Sequence, residues 1–444
     1  MRSYFTRPPQ MKQEELISVL RQRSHPLDNE ADLQPLMDRI GDARIVMLGE
    51  ASHGTHEYYR WRSYISKKLI EEKGFQFIAV EGDWPDCYSL NRYIKGYEND
   101  ARQASAVLHA FNRWPSWMWA NWEIVALASF LKNFNKKLPG QKKIGFYGLD
   151  VYSLWESLEK IMEYLEKNDP AALKVARKAF FCFEPFNKEG SDYARASQLV
   201  PELCETEVVS LLKEIHRKLP FYDGDPENVM SIAQNSWVAL NAEKYYRAMI
   251  KGGPHSWNIR DRHMGDTLAR LLEHHGPDSK AIIWAHNTHI GDARATDMVN
   301  EGMYNLGELA RTEHHEQEVV LIGFGSYKGT VTAGKRWGAP MKTMELPEAR
   351  KGSWEYFLHE AGKENKLLIM DELSNNDALM ENHIGHRAVG VVYDPAYEQY
   401  GNYVPSILPL RYDAFIYLDQ TNALHPLHVE TDAGQMPETY PFGV

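Results

Sequence analysis

Apolar residues recur along the chain in short continuous runs, and a polar residue ends each of them. Runs of this length are typical of strands that are buried on both faces of a sheet. Helical patterns separate most of the runs, and this alternation predicts an α/β fold with a mainly parallel sheet flanked by helices. The predicted strands are Arg44–Glu50, Phe77–Asp83, Ile144–Asp150, Ala281–His286, Val319–Ser326, Val389–Asp394 and Ala414–Asp419.

The stretch between residues 154 and 272 has a different pattern, with long amphipathic segments and no clear strand. Leu158–Glu166 and Val229–Ile250, for example, repeat apolar residues at helical spacing,. We therefore predict a large all-helical insertion over 154–272. This insertion would divide the α/β core into a first half over 1–153 and a second half, with the C-terminal tail, over 273–444.

The ends of the predicted strands indicate where a functional site should lie. In a parallel α/β sheet, ligands bind beyond the carboxyl ends of the strands. Several strands end in a polar side chain at the same edge of the predicted sheet. This number favours a functional site there over the alternative that each strand simply ends in a polar turn. The strand-end residues expected at this edge are Glu50, Glu81, Asp83, Asp150, His286 and Ser326.

Composition excludes several classes of protein. The formal net charge of -11 argues against a general nucleic-acid-binding protein, which needs a basic surface,. The N-terminal residues lack the apolar run of a signal peptide, and no long apolar stretch predicts a membrane span,. Cys87, Cys182 and Cys204 are far apart and form no CxxC pair, so we predict neither a disulfide framework nor a zinc knuckle,. A cytoplasmic protein is the resulting expectation.

The segment Gly49–Arg62, GEASHGTHEYYRWR, holds the first chemically active residues. A strand is predicted to end at Glu50, and a helix to begin near Thr55 and to end at Gly74. His53 then lies just before a helix N-terminus, whose partial positive charge disfavours the imidazolium form. A neutral histidine acts as a general base, and Glu50 is close enough to orient its ring. The alternative is a hydrogen-bonded turn without a catalytic role.

Two further segments bring acidic and histidine side chains to the same edge. VEGDWPD places Glu81 at a strand end, with Asp83 and Trp84 beside it. WAHNTHIGD places His286 and His289 just after another strand. A lone histidine is more often structural, whereas two beside a strand end that face an acidic pair favour a site.

These residues permit two chemistries. In the first, His53 deprotonates a water that attacks an ester carbonyl, while another histidine or an arginine stabilises the oxyanion. In the second, His53, Glu81 and His286 hold a divalent metal that activates the water. A non-enzymatic small-molecule-binding protein is a third alternative, although it needs no acid–base cluster. The sequence contains neither a GxSxG serine elbow nor an HExxH zinc motif,.

The segments GEASHGTHE, VEGDWPD, GLDVYS and WAHNTHIGDARAT, in this order, resemble motifs of the erythromycin esterase family. The resemblance runs from about residue 30 to about residue 420. It implies a bacterial hydrolase that cleaves a carboxylic ester or lactone with a histidine-activated water and no serine nucleophile. The family includes macrolide-inactivating resistance enzymes, and some homologues are labelled succinoglycan biosynthesis proteins. It also implies that the helical insertion helps to wall the cleft.

The resemblance assigns roles by motif position. It implies that His53 is the base and that Glu50 supports it. It places Glu81, His286 and His289 at further active-site positions. The expected partner is a small-molecule ester or lactone, and neither a nucleic acid nor a membrane. No cofactor is assigned, and the metal alternative stays open.

An arginine on the helix after the first motif completes the catalytic set that the resemblance implies. Our choice is Arg62, whereas a helical spacing of seven residues from His53 would favour Arg60. Since His53 is predicted to precede the helix, the spacing argument carries less weight. The candidate substrate-binding residues are His56, Arg60, Asp83, Trp84, Trp117 and Tyr152.

Overall fold

The structure is a computed structural model with one large sheet, a small two-stranded sheet and many helices. The predicted α/β class is confirmed. The residues that it describes are 10–97, 103–186, 190–200, 203–222, 225–250, 253–373, 377–380 and 382–428.

Most strands have four residues or fewer. The strands of the described residues are β1 Ser24–Pro26, β2 Ile45–Leu48, β3 Phe77–Val80, β4 Gly145–Gly148, β5 Ala281–Trp284, β6 Val319–Gly334, β7 Met341–Leu346, β8 Lys366–Ile369, β9 Ile384–Arg387, β10 Tyr403–Ser406 and β11 Ala414–Thr421.

The helices before the middle of the chain are α1 Gln10–Arg23, α2 Gln34–Ile40, α3 His56–Lys73, α4 Trp84–Lys95, α5 Ala104–Leu108, α6 Trp122–Asn135, α7 Leu154–Asn168, α8 Pro170–Phe183, α9 Gly190–Leu199 and α10 Glu205–Lys218. The later helices are α11 Pro226–Met249, α12 Pro254–His275, α13 Asn287–Ile290, α14 Leu306–Glu313, α15 Trp354–Ala361, α16 Asp377–Met380, α17 Glu398–Gly401 and α18 Leu408–Arg411. Short 3₁₀ turns occupy Glu30–Leu33, Ser116–Met118, Gly140–Lys142, Glu184–Phe186, Leu219–Phe221, Ala293–Ala295, Asp297–Glu301, Glu316–Glu318 and Met370–Glu372.

The large sheet is mixed but mainly parallel. Its strand order is β1-β8-β11-β6-β2-β5-β3-β4, with β7 paired to the far end of β6. The six strands from β11 to β4 are parallel to one another, whereas β1, β7 and β8 pair antiparallel. The carboxyl ends of β2, β5, β3 and β4 therefore lie side by side at one edge, which is where the site residues follow.

Two sequence predictions about strands are wrong. Val389–Asp394 forms only isolated bridges, from Val389 to Ser52 and from Val392 to Gly334, so this apolar run is no strand. Val389, Val391 and Tyr393 are nevertheless buried, because the run lies against the end of β6 and the turn after β2. Ser326 is not a strand end, because β6 continues beyond it to Gly334.

Both faces of the sheet are covered by apolar side chains. Along β2, Val46 and Leu48 pack into one apolar core, while Ile45 and Met47 pack into another. This division follows from the alternation of successive side chains across a strand. Full burial of one such side chain contributes about 1.5–3 kcal/mol, so a continuous apolar run is stable only in a strand covered on both sides.

The described residues between β4 and β5 form helices and no strand, from α7 to α12. Helices α7 to α11 supply most of a third apolar core of their own. The division of the chain into an insertion and two half-cores stays a prediction. Among the described residues, no helix combines the length and the apolar character that a membrane crossing requires.

The prediction that the chain forms no disulfide is wrong. Cys182 at the end of α8 is bonded to Cys204 just before α10, while the buried Cys87 forms no disulfide. The two bonded residues are 22 positions apart, and the packing of α8 against α10 brings them together. Sequence spacing alone does not reveal such a pairing. The cytoplasmic location stays a prediction.

Candidate active site

The turn between β2 and α3 carries the first site residues. A Cβ on Gly49 would lie 2.1 Å from the Asn287 Oδ1 atom, so only glycine lets this amide approach the strand end. The Asn287 backbone N–H donates to the Glu50 carbonyl at 2.9 Å and ties this turn to the end of β5. Helix α3 then begins after Thr55 and ends at Gly74, whose φ of 70° is left-handed, as the sequence predicted,.

Glu50 binds two cationic or ionisable partners through its two oxygens. Its Oε1 atom accepts a hydrogen bond from His53 Nδ1–H at 3.0 Å, and its Oε2 atom accepts one from Arg62 Nη2 at 2.6 Å. All three side chains are buried, with at most 1% of each exposed. Since a carboxylate only accepts, this bond fixes the proton of a neutral His53 on Nδ1 and leaves Nε2 with a lone pair.

The His53 Nε2 atom is buried and has no hydrogen-bond partner. Leaving a buried acceptor without a partner costs about 1–3 kcal/mol, so such an atom calls for an explanation, and a proton-accepting role is one. The Arg62 Nε and Nη1 groups are likewise buried without partners, and its guanidinium lies over the rings of Tyr59 and Trp284. Glu50 therefore joins a candidate base to an arginine that has two nitrogens without hydrogen-bond partners.

His286 follows β5 and lies next to His53, with their ring centroids 4.9 Å apart. Its Nδ1 atom accepts from the backbone N–H of Thr288 at 3.3 Å and lies 2.8 Å from the Thr288 hydroxyl. A neutral His286 ring therefore carries its proton on Nε2, which is buried and has no partner,. Burial lowers the pKa of His286 well below its ordinary value of 6.5.

Glu81 lies just after β3 and fixes the backbone of His286. Its Oε2 atom accepts from the His286 backbone N–H at 2.8 Å, and its Oε1 atom accepts from Arg260 Nη2 at 2.7 Å. Burial opposes ionisation of Glu81, but the Arg260 guanidinium and the hydrogen bond from the His286 backbone outweigh it and hold the pKa of this carboxyl well below its usual range. Arg260 also binds Asp150, which follows β4, at 2.6 Å.

Both ring nitrogens of His289 are engaged, which separates it from His53 and His286. Its Nε2 atom accepts from Arg260 Nη1 at 3.0 Å, and its Nδ1–H donates to Asp261 at 2.9 Å. Its ring stacks on Trp257, with centroids 4.5 Å apart. His289 thus belongs to the cluster, but its contacts suit it to holding Arg260 in place.

The geometry of this edge can be compared with known proteins. A family model described as Erythromycin esterase matches residues 70–421. The chain belongs to the erythromycin esterase family. The matched range holds Glu81, Arg260, His286 and His289, and the turn with Glu50 and His53 precedes it.

Two similar proteins agree with this membership. Erythromycin esterase type II of Escherichia coli is 24% identical over 375 residues, covering 78% of this chain and 85% of that protein. Putative hydrolase YbfO of Bacillus subtilis strain 168 is 20% identical over 424 residues and covers 90% of each. Membership and these two names support a hydrolase.

Solved structures share the fold. A succinoglycan biosynthesis protein superposes with a TM-score of 0.76 at 21% identity, over 94% of this chain and 100% of that chain. An erythromycin esterase mutant, EreC in its open conformation, superposes with a TM-score of 0.65 at 16% identity, over 90% of this chain and 97% of that chain. At these identities the likeness establishes the fold and no more.

Within this esterase-family fold, the structure separates Arg62 from Arg60. Arg62 is fully buried against Glu50, whereas Arg60 is exposed and donates to the Tyr64 hydroxyl at 3.0 Å. The spacing of seven residues favours Arg60 only if His53 is helical, and α3 begins after it, at His56. Arg60 therefore lies outside the cluster.

The other candidate substrate-binding residues also lie apart from His53 and His286. Asp83 forms a bidentate ion pair with Arg113, and His56 bonds to Glu123. Tyr152 is buried beneath the guanidinium of Arg260 and donates to Tyr245. Of the six, Tyr152 has the most direct link to the cluster, through Arg260.

Trp84 and Trp117 belong to the apolar cores. Trp84 stacks on Tyr147 and donates to Ser231, and both tryptophans are almost fully buried. Trp117 packs edge-on against Trp114. The structure therefore gives neither one a contact with the Glu50–His53 pair, and their size explains their burial as core residues.

Sequence reasoning missed Arg260 and Asp261, which α12 contributes. Both are nearly fully buried charged residues, yet in the sequence they belong to an ordinary amphipathic helix pattern. Asp150 was expected at the sheet edge, but its ion pair with Arg260 was not. A buried arginine that joins two strand-end carboxylates cannot be recognised without the tertiary fold.

The hydrogen bonds of Glu81 do not favour the alternative in which His53, Glu81 and His286 hold a divalent metal. Both of its oxygens already accept hydrogen bonds, one from Arg260 and one from the His286 backbone. Within the described part of the chain, the His, Cys, Asp and Glu side chains whose ligand atoms converge within 4.8 Å are His56, Glu123 and His425. The set of His53, Glu81 and His286 does not converge in this way.

Proposed function

We propose that this protein hydrolyses a carboxylic ester or lactone by attack of a water that His53 deprotonates. One observation carries the proposal: the His53 Nε2 atom is buried and unpartnered while Glu50 holds the opposite nitrogen. An imidazole in this state is an oriented general base. Its partner residues resemble the carboxylate–histidine pair of hydrolytic triads, but a water takes the place of the serine.

The proposed reaction has two proton transfers. His53 Nε2 takes a proton from the water, whose oxygen attacks the carbonyl carbon and forms a tetrahedral intermediate. The bond from this carbon to the alcohol oxygen then breaks, and the proton on Nε2 passes to the leaving alkoxide. An acid and an alcohol result, or a hydroxy acid if the substrate is a lactone. Glu50 stabilises the imidazolium that forms between the two transfers.

His286 and Arg62 supply the groups that would stabilise negative charge. The low pKa of His286 keeps its ring neutral, so its Nε2–H acts as a hydrogen-bond donor beside His53 rather than as a second base. Arg62 offers unpartnered N–H groups on the other side of Glu50. Preorganised donors of this kind contribute about 3–4 kcal/mol each to transition-state stabilisation.

The remaining charged residues act through His286. Glu81 holds the His286 backbone, Arg260 holds Glu81, and His289 with Asp261 holds Arg260. We assign these as positioning residues. Because His53 and His286 are almost fully buried, a substrate reaches them only after the segments that cover this sheet edge move.

A hydrolysis screen tests the proposal. Macrolactones, smaller lactones and simple carboxylic esters are incubated with the wild-type protein and with His53→Ala. Mass spectrometry records the gain of one water by a lactone, or the separate acid and alcohol released from an ester. We expect turnover of at least one compound by the wild type and a loss of about a hundred- to ten-thousand-fold in His53→Ala. A folded His53→Ala protein of unchanged activity would contradict the proposal.

A further inference from the structure

Three side chains from distant parts of the chain meet beside the first turn of α3. His56 and His425 each have their Nδ1 atom 2.6 Å from the same oxygen, Oε1 of Glu123. The two imidazole rings have centroids 5.1 Å apart and lie edge to face. His56 begins α3, Glu123 lies in the first turn of α6, and His425 lies after β11.

Backbone hydrogen bonds hold the three segments in register. The Trp122 backbone N–H donates to the His425 carbonyl at 3.0 Å, and the Leu424 backbone N–H donates to the Gly54 carbonyl at 3.0 Å. Isolated bridges pair Thr55 with Ala423 and Asn121 with Pro426. The segment that carries His425 is therefore hydrogen-bonded to the chain at the starts of α3 and α6. The backbone thus brings the three side chains together.

We propose that His56, Glu123 and His425 bind one divalent transition-metal ion, with zinc as the best-matched ion. Two histidines and one carboxylate are a common zinc ligand set, and a fourth position remains for water. The three ligand atoms already lie within 4.8 Å of one another. The ion would be separate from the proposed catalytic cluster, since none of its ligands contacts Glu50, Arg62 or His286 through a hydrogen bond that the structure records.

A second observation is the state of Glu123. Its side chain is only 6% exposed, and its Oε2 atom is buried without a hydrogen-bond partner. A buried carboxylate oxygen without a partner is costly, and a bound cation would satisfy it. His425 is 62% exposed, which leaves one side of the set open for a water ligand.

The present geometry needs a small adjustment to accept the ion. Zinc–ligand bonds of roughly 2.0–2.1 Å at tetrahedral angles separate the ligand atoms by about 3.3 Å. The two nitrogens must therefore move outward from Glu123, and each must lose the proton that it now donates. The exposed His425 side chain has room for this movement.

The ion would have a structural effect on the β2–α3 turn. The same C-terminal segment that carries His425 binds the carbonyl of Gly54, next to His53. A metal bound by His56 and His425 would add a second link between this segment and the start of α3. Because it binds the folded state alone, it would raise the melting temperature.

Zinc binding by purified, chelator-treated full-length protein is the first test. Isothermal titration with Zn²⁺ should show one site per chain in the wild type, with a rise in Tm. His425→Ala should lose this site, and His315→Ala, which changes an exposed histidine outside the set, should retain it. Absence of a one-to-one site in the wild type, or its retention in His425→Ala, would overturn the proposal.

Cobalt gives a second test that does not depend on loss of binding. Co²⁺ bound to a cysteine thiolate has a near-ultraviolet charge-transfer band that histidine and carboxylate ligands do not produce. His425→Cys with Co²⁺ should show this band, while the wild type with Co²⁺ and His315→Cys with Co²⁺ should lack it. A Co²⁺-loaded His425→Cys protein without the band would show that residue 425 is no ligand.

Discussion

The imidazole rings of His53 and His286 lie 4.9 Å apart and are inclined by 40° to each other. Their hydrogen bonds give the two neutral rings opposite roles, because Glu50 occupies Nδ1–H of one and Thr288 occupies the Nδ1 lone pair of the other. One unpartnered Nε2 atom is thus an acceptor and the other a donor. A general base and an electrophilic donor therefore lie side by side, a pairing that suits attack by water on an ester.

Glu50 should contribute to turnover by orienting His53. In Glu50→Gln, the amide cannot accept from both His53 and Arg62 as the carboxylate does. We expect kcat to fall about a hundredfold. Steady-state kinetics on the compound from the hydrolysis screen measure this loss. Glu72→Gln, an exposed change on the same helix, is the matched control, and equal activities of the two variants would refute the role of Glu50.

His286 should act mainly in the transition state. Replacing it by alanine removes the Nε2–H donor, so we expect kcat to fall by about a hundred- to a thousand-fold with little change in KM. Comparison of kcat and KM in wild type and His286→Ala measures the effect. If KM rises instead while kcat is unchanged, His286 binds the ground state and the proposed oxyanion role is wrong.

Arg62→Lys and Arg60→Lys separate the two arginines that the sequence left as competitors. Lysine keeps the charge but lacks the planar guanidinium that lies over the Tyr59 and Trp284 rings and binds Glu50,. We expect a loss of about tenfold or more in kcat/KM for Arg62→Lys, and a change of less than about twofold for the exposed Arg60. A larger loss at Arg60 would reverse the assignment.

His263 on α12 should make the folded protein less stable in acid. Burial lowers its pKa from 6.5 to about 3, so between these values the unfolded chain binds a proton that the folded protein does not. The free energy of unfolding therefore falls as the pH falls through this window, by up to about 1.4 kcal/mol per pH unit.

Chemical denaturation over this pH range measures that contribution. In His263→Asn, the free energy of unfolding should depend less steeply on pH, and the difference in slope should correspond to uptake of close to one proton on unfolding. The exposed control His315→Asn should retain the wild-type slope. A wild-type slope in His263→Asn would show that His263 is protonated in the folded state.

The strands next to the site could be predicted because their apolar runs are continuous, as double burial in a parallel sheet requires. Six of the seven predicted strands exist in the described residues, and the exception is Val389–Asp394. Strands β1, β7, β8, β9 and β10 were missed. Four of them have three or four residues each, too few to show a period, while β7 has six residues without a continuous apolar run,.

The placement of Glu50, Glu81 and His286 could be predicted for a related reason: they follow neighbouring parallel strands, whose carboxyl ends meet. Arg260 could not, since only the packing of α12 against the sheet edge brings it to Glu81. Trp84 shows the opposite failure. It follows a strand like Glu81, but α4 begins there and turns its ring into the core.

The central claim is that His53 is the base. The most direct measurement is kcat for the best substrate of the hydrolysis screen, compared between wild type and His53→Ala of equal melting temperature. The account predicts a loss of about a hundred- to ten-thousand-fold with the fold intact. A folded His53→Ala protein that hydrolyses this substrate at the wild-type rate would contradict it.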